Sequence, residues 1–152
     1  MTPAFSIALL VGLAASAEDL IRRRISNWIP LAAFAAGLAS LTVERGWRGA
    51  LSSLGGAVGG FSVFLIFYWL GGMGGGDVKL MAGLGAVVGL ERLAAAALWT
   101  AACGGVMAAM WVLAVELRNR IIRTPERAKA VQSIPYAPAI ALGSWLALLP
   151  KG

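Results

Sequence analysis

Histidine is absent from this chain of 152 residues, and cysteine occurs once, as Cys103. Without histidine there can be no Ser-His-Asp triad, no Cys-His pair and no zinc site with an imidazole ligand. A single cysteine cannot form a disulfide within the chain. Cys103 lies in an apolar stretch, where we interpret it as a buried structural residue, because such thiols are unreactive. Any catalysis by this chain therefore has to use other side chains.

Charged residues are also scarce, at 13% of the chain against about a quarter in typical soluble domains. Hydrophobic residues make up 59%, and they form long blocks without polar alternation. A transmembrane β-barrel would alternate with period two, so the blocks predict membrane-spanning helices. The formal net charge of +6 comes from Lys and Arg residues that flank the blocks. Membrane topology explains this charge, and nucleic acid is not expected as a partner.

Six hydrophobic segments predict an all-α polytopic membrane protein, a bundle of about six transmembrane helices in a single domain over residues 1–152. No Lys or Arg precedes the first segment, so we interpret it as a retained helix rather than a cleavable signal. Several segments are shorter than the ~20 residues of an isolated spanning helix, but a bundle tolerates short helices. The segments cover residues 3–17, 28–43, 50–70, 78–90, 93–115 and 134–149.

The basic residues between the segments predict the orientation in the membrane. Alternate connections lie on the same side, and the first, third and fifth carry nine of the 13 Lys and Arg residues. The positive-inside rule therefore places these connections in the cytoplasm and both termini on the non-cytoplasmic side. Asp19 belongs to the first connection and Asp77 to the third. Both carboxylates are thus expected at the cytoplasmic face.

Each aspartate also has an explanation that involves no function. Asp77 follows the glycine run Gly74-Gly75-Gly76 and comes just before the fourth segment, where an aspartate makes a good N-cap. Asp19 ends the first helix beside Glu18, which is an unfavourable place for a negative charge, but a solvated loop with three arginines would accommodate it. Ionisable residues beside the bilayer core are nevertheless functional candidates by default.

Two carboxylates at one membrane face are suited to hydrolysing an amide with water. One carboxylate accepts a proton from water, and the other, protonated, donates a hydrogen bond to the developing oxyanion. Like charges held close share a proton and titrate as a unit. Asp77, being near Lys79, is expected to ionise before Asp19. The glycines are expected to form a mobile loop, with positive φ where needed, that a substrate backbone can approach.

Three elements of the sequence together resemble a known family. They are, in chain order, Asp19-Leu20-Ile21-Arg22-Arg23-Arg24-Ile25-Ser26-Asn27, Gly74-Gly75-Gly76-Asp77-Val78-Lys79-Leu80 and Ile134-Pro135-Tyr136-Ala137-Pro138-Ala139-Ile140-Ala141-Leu142-Gly143. The set resembles the prepilin peptidases, membrane aspartic proteases of the GxGD type, and in particular their short form in Flp/Tad-type pilus systems. The resemblance implies that Asp19 and Asp77 are the catalytic residues, Gly74 and Gly76 the motif glycines, and Lys79 the motif lysine.

The resemblance also implies a substrate and a location. Such an enzyme removes the leader peptide of prepilin- or pseudopilin-like proteins at the cytoplasmic face of the inner membrane, and so supports type IV pilus biogenesis or secretion. No cofactor or metal is implied. Arg22, Arg23, Arg24 and Asn27 are candidate contacts for substrate or lipid headgroups, although topology alone accounts for the arginines. The partners expected are therefore a prepilin-like protein and membrane lipids.

Two departures from the family pattern are visible. Ser26 stands where relatives often have proline, which predicts a less rigid turn after Asp19. Larger relatives carry a cytoplasmic insertion with paired CxxC motifs and N-methylate the new amino terminus. A chain with one cysteine provides no such metal site, so the resemblance does not extend to methylation.

Three other functions use the same residues differently. A small transporter can couple two membrane-edge carboxylates to cation or proton movement, although it would need acidic residues deeper in its helices. A Ser/Lys peptidase built on Lys79 would need a serine beside it, and no local motif supplies one. A non-catalytic component of a secretion assembly would have no need of both aspartates. The sequence does not specify the oligomeric state.

Overall fold

Six helices and their short connections make up the residues that the computed structural model describes, 2–122 and 136–149, with only the backbone described for residues 118–122. No strand occurs in these ranges. The prediction of an all-α polytopic membrane protein is confirmed. The helices, labelled α1 to α6 in chain order, are Pro3–Arg22, Trp28–Arg45, Trp47–Trp69, Gly75–Val88, Leu90–Ile122 and Ala137–Leu148.

Local sequence explains where several helices begin and end. The Thr2 side chain accepts a hydrogen bond from the N–H of Phe5 at the start of α1, and Pro3 follows as its first residue. Helix α2 ends at Gly46, with φ 63°, and α4 ends at Gly89, with φ 77°. Both glycines are in backbone conformations that other residues rarely adopt, so each gives a sharp turn into the next helix.

Some helix boundaries differ from the predicted segments. Helix α1 continues to Arg22 rather than ending near residue 17, so Asp19 lies in its last turn. Helix α4 begins at Gly75 rather than residue 78, which places Asp77 inside it. Helix α5 is longer at both ends than the predicted segment 93–115. Residues 123–135, which include most of the basic fifth connection and the start of the third motif, lie outside the described residues.

Three of the described helices are long and apolar enough to cross a membrane: α1, α3 and the Leu90–Leu117 part of α5. Their outward faces carry large apolar side chains that no other described residue covers, as expected for contact with lipid. Examples of these exposed side chains are Leu10, Leu13, Val58, Ile66, Leu98, Val106 and Met110.

Helix α4, which carries Asp77, is a short helix at the centre of the bundle. Its 14 residues extend about 21 Å, less than the ~30 Å thickness of a bilayer core. Ten of them are buried, including Asp77, and large side chains such as Leu80, Met81 and Leu84 have no accessible surface. Apart from Asp77 and Lys79, α4 is apolar, and its neighbours cover most of its length. Asp77 is buried in its first turn, although Gly75 and Lys79 are exposed.

Glycines allow α3 to approach its neighbours closely. A Cβ on Gly56 would overlap the carbonyl oxygen of Gly85 in α4, and a Cβ on Gly85 would overlap that of Gly56. Gly60, one turn further along α3, meets the carbonyl oxygen of Met81 in α4 in the same way. Gly55 and Gly59, which precede Gly56 and Gly60, pack instead against the side chains of Leu90 and Leu93. The small-xxx-small spacing of α3 therefore serves two interfaces, since adjacent glycine rows face α4 and α5.

Side-chain contacts identify the two ends of the bundle. At one end, Arg45 of α2 and Glu91 of α5 form a salt bridge of 2.8 Å. The opposite end holds the turn between α1 and α2, the start of α4 and the start of α6. Helices α1 and α6 run antiparallel, and the indole N–H of Trp145 donates to the carbonyl of Ala8 at 2.8 Å. The predicted placement of Asp19 and Asp77 at the same end is confirmed, while the cytoplasmic orientation of that end stays a prediction.

We predict that Gly56→Ala and Gly55→Ala have different effects on stability. The new methyl group at position 56 meets backbone atoms of α4, so the helices must separate, at a cost of about 1–3 kcal/mol. At position 55 it meets the end of the Leu90 side chain, which can rotate away. Thermal unfolding in detergent, followed by helical circular dichroism, should show a lower melting temperature for Gly56→Ala only. Equal melting temperatures would contradict this account of the α3–α4 contact.

Candidate active site

Asp77 occupies the third position of α4 and is 7% exposed. Gly74 is the N-cap residue, and its N–H donates to the Asp77 carboxylate at 3.1 Å. The Asp77 N–H in turn donates to the Gly74 carbonyl at 3.1 Å. The prediction that Asp77 is itself the N-cap is therefore wrong by three residues. Its carboxylate still satisfies a free N–H at the helix start, where negative charge is favoured.

Asp19 lies in the last turn of α1 and is 8% exposed. Its carboxylate accepts a hydrogen bond of 3.2 Å from the N–H of Ala137, the first residue of α6. Tyr136, the N-cap residue of α6, makes no side-chain capping bond, so Asp19 takes that role from another helix. The carboxylate is unfavourably placed with respect to α1 but favourably placed with respect to α6.

The two carboxylates are close enough to interact electrostatically. Asp77 lies in the first turn of α4, outside the three candidate spans, and burial raises its pKa to about 6. The negative charge of Asp19 adds to this rise, and the hydrogen bond from Gly74 opposes it. The prediction that Lys79 makes Asp77 ionise early is wrong, because the Lys79 ammonium donates to the Asn27 side chain at 2.9 Å instead.

The basic residues after Asp19 are at the surface. The exposed Arg22 guanidinium lies 3.7 Å from the Glu18 carboxylate. An exposed ion pair at this distance contributes little to the stability of the fold. Arg23 ends α1 in the left-handed conformation, with φ 51°, and its N–H donates to the Asp19 carbonyl at 2.9 Å. Arg24 is exposed in the turn that follows. Contacts of these arginines or of Asn27 with substrate or headgroups stay a prediction.

The glycine run forms less of a loop than its composition indicates. Gly74 is extended, with φ −81° and ψ 154°, and Gly75 and Gly76 are already helical, so none of the three has a positive φ. The expectation of positive φ in this run is wrong, whereas its mobility before substrate binds stays a prediction. At Gly76, a Cβ would lie 3.4 Å from the Cβ of Ile25, which is an ordinary van der Waals distance. At Gly74, a Cβ would lie 3.3 Å from the Asp77 carboxylate.

Glu18 and Ser26 form a contact that sequence reasoning missed. The Glu18 carboxylate accepts hydrogen bonds from the N–H of Ser26, at 2.9 Å, and from its hydroxyl. The turn after α1 is therefore held by this pair, and a lower rigidity than with proline at position 26 stays a prediction. The sequence shows only an acidic residue eight positions before a serine. This spacing does not correspond to any helix, strand or capping pattern, so it does not predict a contact.

An apolar groove of about 460 Å³ lies between α3 and α5, and neither aspartate lines it. Small residues of α5, including Ala97, Ala101 and Gly105, form one wall, and Tyr136 closes one side. Tyr136 immediately precedes Ala137, whose N–H binds Asp19. The groove thus includes a residue next in sequence to the hydrogen-bond donor of Asp19, and most of its other lining residues lie on α3 and α5, which are long enough to span a membrane.

The carboxylates are not part of a metal-binding cluster within the described ranges. No group of three or more Asp, Glu or Cys side chains comes together there in a way that could hold a metal ion.

These features define a class, a polytopic helical membrane protein with two interacting buried carboxylates at one end of its bundle. The sequence pattern of the type IV leader peptidase family matches residues 6–109. Because that match covers more than half of the chain, the protein belongs to this family. The matched region contains both aspartates and the glycine run, but not α6.

Three curated proteins with related sequences are each described as a prepilin leader peptidase/N-methyltransferase. The one from Bacillus subtilis strain 168 is 40% identical over 96 residues, which cover 62% of this chain and 34% of that protein. The proteins from Xanthomonas campestris pv. campestris and Aeromonas hydrophila are 34% and 35% identical, over 61% and 62% of this chain and 31% of each relative. This chain thus spans about a third of their length. No solved structure matches it significantly.

The raised pKa of Asp77 predicts a pH-dependent effect of Asp77→Asn on stability. A folded-state pKa of about 6, against 3.8 for the free side chain, favours folding at low pH, and this contribution disappears as pH rises through 6. The asparagine oxygen can still accept from Gly74 but never ionises. Relative to wild type, the variant should therefore gain up to about 3 kcal/mol between pH 4 and pH 7.5.

Melting temperatures in detergent at the two pH values measure this effect. Glu44→Gln, at the exposed end of α2, is the matched control and should show no such gain. A stability difference between Asp77→Asn and wild type that is the same at both pH values would contradict the raised pKa.

Proposed function

We propose that this protein is an aspartic endopeptidase that removes the leader peptide of prepilin- or pseudopilin-like proteins, as do the short peptidases of Flp/Tad-type pilus systems. The observation that carries the proposal is the pair of buried carboxylates, Asp19 and Asp77, within the part of the chain that matches the leader peptidase family. Burying two acidic groups close together costs free energy of folding, and such pairs with perturbed pKa values are typical of active sites.

In the proposed mechanism, one carboxylate is ionised and accepts a proton from the attacking water. The other is protonated and donates a hydrogen bond to the scissile carbonyl, which stabilises the tetrahedral oxyanion. The proton taken from water then goes to the leaving amine as the C–N bond breaks. Each aspartate needs a partner that fixes its orientation, and Ala137 and Gly74 are those partners.

We assign the shared proton to Asp77 in the resting enzyme. The raised pKa of Asp77 supports this assignment, because both burial and the neighbouring negative charge of Asp19 favour its neutral form. The hydrogen bond from the first N–H of α6 favours the ionised form of Asp19. Asp19 is thus the proposed general base, and Asp77 the proposed donor to the oxyanion.

The apolar groove is the proposed site for the hydrophobic segment of the substrate. Its lining is almost entirely apolar, and residues of α5 with little or no side chain let another helix approach closely. The end next to Tyr136 and Asp19 is where the scissile bond of a substrate in the groove would lie. A prepilin-like protein, cleaved just before its hydrophobic segment, has the required arrangement.

The site is proposed to face the cytoplasm from the inner membrane. Nine of the 13 basic residues belong to connections at the aspartate end or to the segment that leads into α6, which supports this orientation through the positive-inside rule. The leader peptides of the proposed substrates are on the same side.

Asparagine at either aspartate should abolish leader cleavage. Asp19→Asn and Asp77→Asn keep an oxygen that accepts from Ala137 or Gly74, so both should fold, but neither can exchange a proton. We expect cleavage to fall at least about a thousandfold. The measurement is co-expression with a prepilin-like membrane protein, scored by the mobility shift that leader removal causes, with Glu44→Gln as control. Substantial processing by Asp77→Asn would refute the two-aspartate mechanism.

Phenylalanine in the groove should weaken substrate binding without affecting chemistry. Ala101 lines the groove, whereas Ala102 is equally exposed but does not line it. Ala101→Phe should raise KM about tenfold, equivalent to about 1.4 kcal/mol of binding, with little change in kcat. Ala102→Phe is the matched control and should leave both constants unchanged. If both variants cleave like wild type, the substrate segment lies elsewhere.

A further inference from the structure

Three consecutive residues of the turn between α1 and α2 contact the two helices that carry the aspartates. Ser26 binds α1, whereas Ile25 before it and Asn27 after it contact α4. We call Ile25, Ser26 and Asn27 the turn clamp. Each of its contacts is made to a residue within two positions of Asp19 or Asp77.

The contact with α1 is the Glu18–Ser26 pair. The Glu18 side chain is only 14% exposed, and its carboxylate accepts from both the N–H and the hydroxyl of Ser26. Two bonds from one residue to one carboxylate fix its direction, as a single bond would not. Because Glu18 immediately precedes Asp19, the two side chains point about 100° apart around the helix axis. Fixing Glu18 toward the turn therefore fixes Asp19 toward the bundle interior.

The contacts with α4 lie on both sides of Asp77. The Ile25 side chain lies beside Gly76, the residue before Asp77, where an added Cβ would be in van der Waals contact with it. The Asn27 side-chain oxygen accepts a hydrogen bond of 2.9 Å from Lys79, two residues after Asp77. Asn27 is also the N-cap residue of α2, yet its side chain makes no capping bond there. The side chain that could cap its own helix binds α4 instead.

We propose that the turn clamp sets the separation of Asp19 and Asp77, and that Glu18 and Lys79 act as positioning residues for the pair. Asp19 and Asp77 are 58 positions apart in sequence, on helices α1 and α4, and this turn connects the segments next to both. Lys79 accordingly acts on the fold of the site and not on an acidic group of the substrate. This inference rests on the proposed function, since it assigns these residues a part in the same reaction.

Glu18→Ala removes the acceptor of both Ser26 bonds, so α1 can turn and Asp19 can move. A displacement of about 1 Å at a catalytic group can lower the rate a hundredfold, and we expect kcat for leader cleavage to fall at least about tenfold. KM should change less than about twofold, because the groove is untouched. Glu18→Gln should retain most of the activity, since an amide can accept from the Ser26 N–H and donate to its hydroxyl.

The double variant Glu18→Ala/Ser26→Ala should be no slower than Glu18→Ala, because both changes remove the same contact. Lys79→Met tests the other side of the clamp and should also lower kcat, at least about threefold, while keeping the aliphatic part of the side chain. Glu44→Ala, at the other end of α2, is the control and should cleave like wild type. Helical circular dichroism and melting temperature in detergent establish that each variant is folded.

The clamp is refuted if wild type cleaves and Glu18→Ala cleaves equally fast. It is also refuted if Glu18→Gln is as slow as Glu18→Ala, since the charge of Glu18 would then matter rather than its hydrogen bonds. Failure of the wild-type protein to cleave any prepilin-like substrate would instead refute the proposed function. If Glu18→Ala does not accumulate in the membrane, Lys79→Met is the test. A kcat equal to that of wild type for Lys79→Met then refutes the clamp.

Discussion

Two carboxylates must be satisfied inside this protein, and the helix arrangement around them follows from that requirement. A buried carboxylate is strongly unfavourable unless hydrogen-bond donors replace water. Asp77 receives its donor from the start of its own helix, through Gly74. Asp19 cannot do so, because it lies at the end of α1, and it receives its donor from the start of α6. The positions of α4 and α6 relative to α1 are thus linked to the two acidic groups.

The short central helix makes this burial possible. If α4 were as long as a membrane-spanning helix, its first turn would reach the aqueous boundary and Asp77 would be solvated. Its neighbours bury ten of its 14 residues, including Asp77. That position requires close approach, and the Gly56–Gly85 contact with α3 provides it. The glycine content of the chain and the raised pKa of Asp77 therefore have a common structural origin.

Much of the fold could be predicted from the sequence because hydrophobic blocks and charge placement act through the bilayer. The six helices and the common end of Asp19 and Asp77 both follow from those patterns. The helix start at Gly75 could not be predicted from composition, because a glycine run is typical of a loop. The hydrogen bond between Gly74 and Asp77 at the helix start forms only in the folded chain. The Ala137–Asp19 bond joins residues 118 positions apart through a backbone N–H, which any residue except proline would supply. The Glu18–Ser26 pair likewise depends on the geometry of one turn.

The distribution of polar groups helps to distinguish a peptidase from a transporter. A transporter that moves cations or protons needs polar groups at several depths between the two faces. Among the described residues, the buried polar side chains besides the two aspartates are Ser53, Thr100 and Ser144. Ser53 donates to the carbonyl of Ala86 and Ser144 to that of Ile140, so both satisfy helix backbone. The two buried acidic groups lie at one end of the bundle, and this arrangement favours a reaction at the membrane edge over passage through the bundle.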